Sequence, residues 1–173
     1  EEIKKRIKSC KEACEILGAQ SVSIGDFPDN KFDSIALLDI IKFLENEIKG
    51  FVPNEIFTHF SFDLNIDHRI TCQAVKTIFR PMFIKENSKI YECEVLSSTD
   101  WVQNSKHVFV PNHYENITNF LKTKNKALKC YNFEMREFPH SRSYEALTNL
   151  AKFRGMHSGF EMSESFIISF SKN

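Results

Sequence analysis

Apolar residues recur along this chain at two alternating periods, and the alternation predicts its architecture. Ile3, Ile7, Cys10, Cys14 and Leu17 fall at three- and four-residue spacings, the signature of one face of a helix, and Gly18 follows as a natural C-terminal cap. The stretch "SVSIGDF" (21–27) reads as a short buried strand and "PDNKFD" (28–33) as a loop. Ile35 to Ile48 has the pattern of an amphipathic helix, "NEIFTHF" that of a strand, and Asp67 to Phe79 that of a second helix stopped by Pro81. "KIYECEVL" continues the strands. A polar loop through "SSTDWVQNSK" precedes a short strand "HVFV", helices near 116–132 and 141–155, and a last strand "SESFIISF". Strands alternating with helices predict βαβ units, hence an α/β, Rossmann-like, mostly parallel sheet with helices on both faces.

The first helical pattern has a good end and no capping residue ahead of its start. With 173 residues the chain suits a single domain, 1–173, or a large piece of one. No internal repeat or low-complexity segment breaks it.

Charge and cysteine usage narrow the partners. Lys plus Arg number 23 and Asp plus Glu number 23, with no long block of one sign, so nothing in the sequence tracks a nucleic-acid backbone. The five cysteines are odd in number and scattered through apolar patterns, which suits a reducing, cytoplasmic compartment and gives no disulfide framework. No apolar run reaches bilayer length, and "EEIKKRIK" lacks the apolar stretch of a secretory signal, so membrane insertion is not expected. A homo-oligomer is compatible with the sequence, which does not fix the oligomeric state.

Candidate chemistry gathers where strands open into helices, because ligands of open α/β sheets bind outside the carboxyl ends of the strands. That rule places Asp26, Asp29, His59, Asp63, Asn65, Asp67, His68 and Glu94 on one rim. In "DLNIDHR" (63–69), Asp67 and His68 begin a helix, where the dipole favours a carboxylate and an imidazole can point toward a metal or substrate. On spacing alone the competing account, in which Asp67 caps a helix and His68 and Arg69 are solvated, is the stronger. A second cluster, "FPHSRS" (138–143), can present His140 and Arg142 to an anion with Ser141 or Ser143 as a helix cap, or be a capped loop with surface charges. His59 reads more readily as a packed histidine than as a ligand. For Cys72, Cys93 and Cys130 a packing role is expected, because nothing in the pattern lowers a thiol pKa.

The blocks "GDFPDN", "THFSFDLNIDHR", "AVKTIFRP", "YECEVLSSTDW" and "FPHSRSYEALTNLAKFRG", in this order and spacing, resemble the PIG-L/LmbE-like zinc-dependent N-deacetylases nearly end to end. The resemblance implies a hydrolase that removes an N-acetyl group from an N-acetylglucosamine-type sugar or sugar conjugate, in glycan, nucleotide-sugar or glycoconjugate biosynthesis, with zinc as cofactor at the C-terminal strand edge. By position it makes His68 a zinc ligand and Asp67 the acid that precedes it, with a second-sphere or catalytic role. Arg6 and Asp29 match residues that reach the substrate. Arg69, Glu94 and Arg142 go to the substrate side, and Asn65 and His140 to the catalytic set.

Two departures from the family pattern stand out. The His-Pro-Asp-Asp motif that supplies the remaining zinc ligands and the general base is absent from this sequence, and the orphan start of the first helix agrees. Both lead to the expectation that a strand-helix-strand unit of at least about 30 residues precedes the chain in the natural protein, or is supplied by another chain. Without that unit the sheet would lack central strands and keep an open edge. Asn65 stands where many relatives carry histidine; it can donate to an oxyanion but cannot protonate a departing amine. A "DLNIDHR" variant recurs in what resembles a branch of the family, so Asn65 reads as a subtype marker. The alternative reading is a non-catalytic sugar-binding or regulatory relative without a complete metal site.

Overall fold

The computed structural model describes every residue except Ser105, so the loop assignment at that one position lies outside the described residues. The elements run α1 (Glu2–Leu17), α2 (Leu37–Glu47), β1 (Glu55–His59), α3 (Ile66–Ile78), β2 (Ser88–Cys93), β3 (His113–Asn116), α4 (Leu121–Lys129), α5 (Tyr144–Ser158) and β4 (Ser163–Lys172). Single 3-10 turns cover Phe32–Ser34 and Thr99–Trp101. The result is the predicted α/β class, with a four-stranded sheet of order β1-β2-β4-β3. β1 and β2 are parallel, with His59 opposite Cys93, whereas β2 and β4 are antiparallel.

The chain divides into two compact units, one of residues 25–113 and 165–173, the other of residues 1–24 and 114–164. In the first, α3 is the central helix. Its Ala74 and Ile78 meet Ile40 and Ile41 of α2 in one buried cluster, joined by Phe27, Phe32, Leu44 and Ile70. Val75 of the same helix and Phe79, its C-terminal cap, pack on Ile56, Ile84 and Ile90, so that α3 ties α2 to the sheet. Each fully buried isoleucine of this kind contributes about 1.5–3 kcal/mol. The 3.6 period of α3 turns adjacent positions to different neighbours, which explains how one helix serves two clusters. Phe57, Tyr91 and Phe166 add an aromatic layer, the first two stacked at 4.7 Å between centroids.

In the second unit α1 ends at Gly18, whose φ of 74° places it in the left-handed region that closes the helix with Ala19 N–H donating to Cys14 O. The buried positions of α1 are Ser9 and Ala13, while Ile3 and Leu17 of the predicted apolar face are exposed. Small side chains at the crossing let α1 approach α4 closely, and Ser9 Oγ donates to Cys130 O at 2.7 Å. Ser143 caps α5 by accepting the Ala146 N–H at 3.0 Å.

Two expected strands differ. Residues 21–27 form no strand among the described residues, and Val22 and Ile24 are exposed. An apolar extended run becomes a strand only where a ladder partner takes its N–H and C=O groups. "HVFV" is likewise irregular, and the strand falls later, at His113–Asn116. Among the described residues no helix is long and apolar enough to cross a membrane.

Candidate active-site rim

Because β1 and β2 are parallel, the loops that leave their C-terminal ends lie side by side. The β1 loop carries Asp63 and leads into α3, and the β2 loop carries Ser98 and Thr99. Asp63 is fully buried, a place where an unpaired carboxylate would be costly. Its Oδ1 accepts the Asn65 N–H at 2.9 Å and the Ser98 hydroxyl, and its Oδ2 accepts the Thr99 hydroxyl at 2.6 Å. The fourth partner is His68, whose Nδ1 lies 3.0 Å from Oδ1. Burial alone would raise this carboxyl. The bonds from His68, Ser98, Thr99 and the Asn65 amide outweigh it and hold the group down to about 2.

An ionised carboxylate only accepts, so the proton between them sits on His68 Nδ1, and in the neutral ring Nε2 keeps the lone pair. The His68 side chain is 21% exposed beside a fully buried Asp63, so the ring bridges interior and rim. His59, at the end of β1, stacks on the same ring with centroids 3.9 Å apart and planes within 2°. Burial, and then the neighbouring His68, lower the His59 pKa to about 4 against the opposing pull of Asp63.

Asp67 does something other than orient His68. Its Oδ2 accepts the Asn30 N–H at 2.6 Å and its Oδ1 the Phe32 N–H at 3.0 Å, clamping the "FPDN" loop to the start of α3. Asn65 is the cap of α3: its side-chain oxygen accepts the Asp67 N–H at 2.8 Å and its amide donates to Asn30 Oδ1 at 3.2 Å. These bonds bring the loop of exposed Asp29 to Asn65 and Asp67. Arg69 Nη1 donates to the carbonyls of Asp63 and Leu64, so its guanidinium closes the turn. Glu94 Oε1 accepts the Ser165 hydroxyl at 2.7 Å. Below the rim, buried Glu92 takes Lys76 Nζ at 2.5 Å and both the N–H and hydroxyl of Ser61. Burial pushes the Cys72 thiol up, in keeping with a packing role.

The remaining predicted residues belong to the other unit. Arg6 Nε lies 3.2 Å from Glu134 Oε1 and Arg142 Nη1 3.4 Å from Glu134 Oε2, so one carboxylate gathers both guanidinium groups. His140 Nδ1 accepts the Arg142 N–H at 2.9 Å. Ser143, and not Ser141, is the cap.

Comparison with known proteins covers the residues of this rim. Residues 1–79 match the PIG-L family, described as GlcNAc-PI de-N-acetylase. The PIG-L match ends just past α3 and so contains Asp63, Asn65, Asp67 and His68. Among curated proteins none matches the chain. Solved structures of similar fold cover nearly the whole chain. The N,N'-diacetylchitobiose deacetylase of Pyrococcus horikoshii, crystallised with an inhibitor, superposes with a TM-score of 0.65 at 20% identity over 94% of this chain. This chain spans 62% of that deacetylase's length. A conserved protein of Thermus thermophilus gives 0.68 at 18% identity, covering 98% of this chain and 75% of its own. The A40926 pseudoaglycone deacetylase Dbv21 gives 0.65 at 16% identity, covering 97% of this chain and 72% of its own. At these identities the structures establish the fold.

Asp63, Ser98 and Thr99 are the residues that local reading undervalued. Asp63 was legible as a rim acid, but no spacing rule ties it to hydroxyls 35 and 36 residues away.

Proposed function

We propose that the protein is an N-deacetylase, an amide hydrolase that releases acetate from an N-acetylglucosamine-type sugar or sugar conjugate in glycan, nucleotide-sugar or glycoconjugate biosynthesis. The PIG-L match over residues 1–79 and the two deacetylases among its structural neighbours support the reaction class. The observation that carries it here is His68, held at Nδ1 by a buried, ionised Asp63 at the carboxyl edge of β1 and β2.

That arrangement fits one ligand of a zinc ion. Metal-bound histidines commonly donate their other N–H to a carboxylate, which fixes tautomer and ring direction. The described residues do not gather three or more such groups, so they do not compose a full tetrahedral set by themselves. Zinc, when bound, would polarise an amide carbonyl and activate water. What these residues do is narrower. Asp63 holds His68 by Nδ1, which leaves Nε2 as the nitrogen available to a ligand. Asp67 and Asn65 tether the Asp29 loop to the α3 start, presenting Asp29 to sugar hydroxyls. Asn65 offers an amide donor and no proton, so the departing amine takes its proton elsewhere, for which His140 is proposed. Arg6, Arg69, Glu94 and Arg142 are assigned to the substrate side, with Glu134 holding the two arginines together. A reducing, cytoplasmic setting is proposed from the odd number and scatter of the cysteines.

The test uses the full-length native protein, with metal quantified and acetate release followed on a panel of acetamido sugars and conjugates. One zinc per site and acetate release are expected, both lost in His68→Ala. A folded protein that binds no metal and releases no acetate from any of them overturns the proposal and leaves a sugar-binding or regulatory relative.

A further inference from the structure

His68 is restrained twice. Asp63 fixes one edge of its ring through Nδ1 at 3.0 Å, with Ser98 Oγ 3.4 Å from the same nitrogen, but contacts at one ring atom leave the imidazole able to rock about the line joining Nδ1 to the carboxylate. The face of the ring is met by His59, parallel within 2° and 3.9 Å away between centroids. His59 is the last residue of β1, in register with Cys93 of β2, so this platform stands on a hydrogen-bonded strand end. We infer that His59 is a positioning residue, which sets the plane of the His68 imidazole by stacking while Asp63 sets its edge.

The same geometry argues against a direct ligand role. Imidazole lone pairs lie in the ring plane, so two parallel stacked rings keep theirs in separate parallel planes, which do not meet at one ion. A flat surface is therefore what His59 supplies, and another flat ring should supply it as well. Leucine fills similar space without a planar face and should not. This inference rests on the proposed ligand role of His68, and the two are separable by experiment.

The full-length protein is compared as wild type, His59→Phe, His59→Leu and His68→Ala. The first readout is zinc affinity by competition with a chromophoric chelator. The second is NMR of the metal-free protein, in which ring currents and ring nitrogen shifts report the stack and the tautomer of His68. Wild type should show His68 protons shielded by the neighbouring ring and the Nδ1–H form. His59→Phe should keep zinc affinity within about threefold of wild type, and His59→Leu should weaken it about tenfold to a hundredfold, the range for residues that orient a ligand. Urea midpoints of the two variants check that both are folded. Equal affinities in His59→Leu and wild type, or equal losses in the Phe and Leu variants, overturn the inference while leaving His68 as a ligand. Zinc affinity unchanged in His68→Ala overturns the underlying reading instead. Should His59→Leu fail to fold, absence of ring-current shielding on His68 in wild type still refutes the stack.

Discussion

Replacing Asp63 with Asn isolates the charge at the centre of the rim. The two side chains have the same shape. An asparagine with its oxygen at the Oδ1 position keeps the acceptor seen by Ser98, Asn65 N–H and His68, and its NH2 meets Thr99, whose hydroxyl can turn to accept. What the variant loses is ionisation. The carboxyl lies at about 2 against an ordinary 3.8, and at about 1.4 kcal/mol per pH unit the native state favours the charged form by about 2–3 kcal/mol. The sign follows from the depressed pKa. The contribution is fully present above about pH 5, where the unfolded group is also ionised, and is lost as pH falls through about 2. Asp63→Asn should therefore be about 2–3 kcal/mol less stable at pH 7, a drop of about 1–2 M in the urea midpoint. The gap should narrow to a small remainder as pH approaches 2, because the wild-type carboxyl is then half protonated in the native state and neutral in the unfolded one. Urea unfolding followed by far-UV circular dichroism at pH 7, 4, 3 and 2.5 measures it, with equal m-values confirming a common unfolding reaction. Parallel acid limbs, with the gap constant from pH 7 to 2.5, would refute the reasoning, since the stabilisation would then owe nothing to the charge.

Asp67→Ala should release the Asn30 and Phe32 amides, costing about 1–3 kcal/mol for two partly exposed bonds to a carboxylate; hydrogen exchange at those two amides should quicken selectively, and unchanged protection would count against the clamp. Lys76→Met should cost about 2–3 kcal/mol, because buried Glu92 keeps its Ser61 bonds but loses its counter-charge, discounted for the partial exposure of Lys76. Adding Glu92→Gln to it should recover part of that loss, and strictly additive losses in a double-mutant cycle would contradict the pairing. Ser143→Ala should lower stability by about 1 kcal/mol and Ser143→Asp restore it, read as urea midpoints; an unchanged alanine variant would remove the cap from the account.

Periodicity in the sequence determined which segments become helices and most of those that become strands. Ile40 and Ile41, Ala74 and Ile78, and Ile56 and Ile90 all bury as their spacing requires, because side-chain direction along a helix or strand is a local property. Caps were legible for the same reason, Gly18 by itself and Ser143 as one of two candidates, since both act on backbone groups within a few residues. "DLNIDHR" was visible as a polar turn between strand and helix, yet its division of labour was not. Asn65 caps, Arg69 closes the turn, Asp67 reaches Asn30 and Phe32, and Asp63 holds His68. Only tertiary structure decided those partners. The parallel register of β1 and β2 sets two loops side by side, and Ser98 and Thr99 of one can then satisfy the buried carboxylate of the other. Residues 21–27 show the converse, an apolar extended run that makes no strand because a strand is a pairing between segments. Local patterns fix where side chains point; which groups share a proton depends on strand order and register, set by contacts between segments distant in the chain.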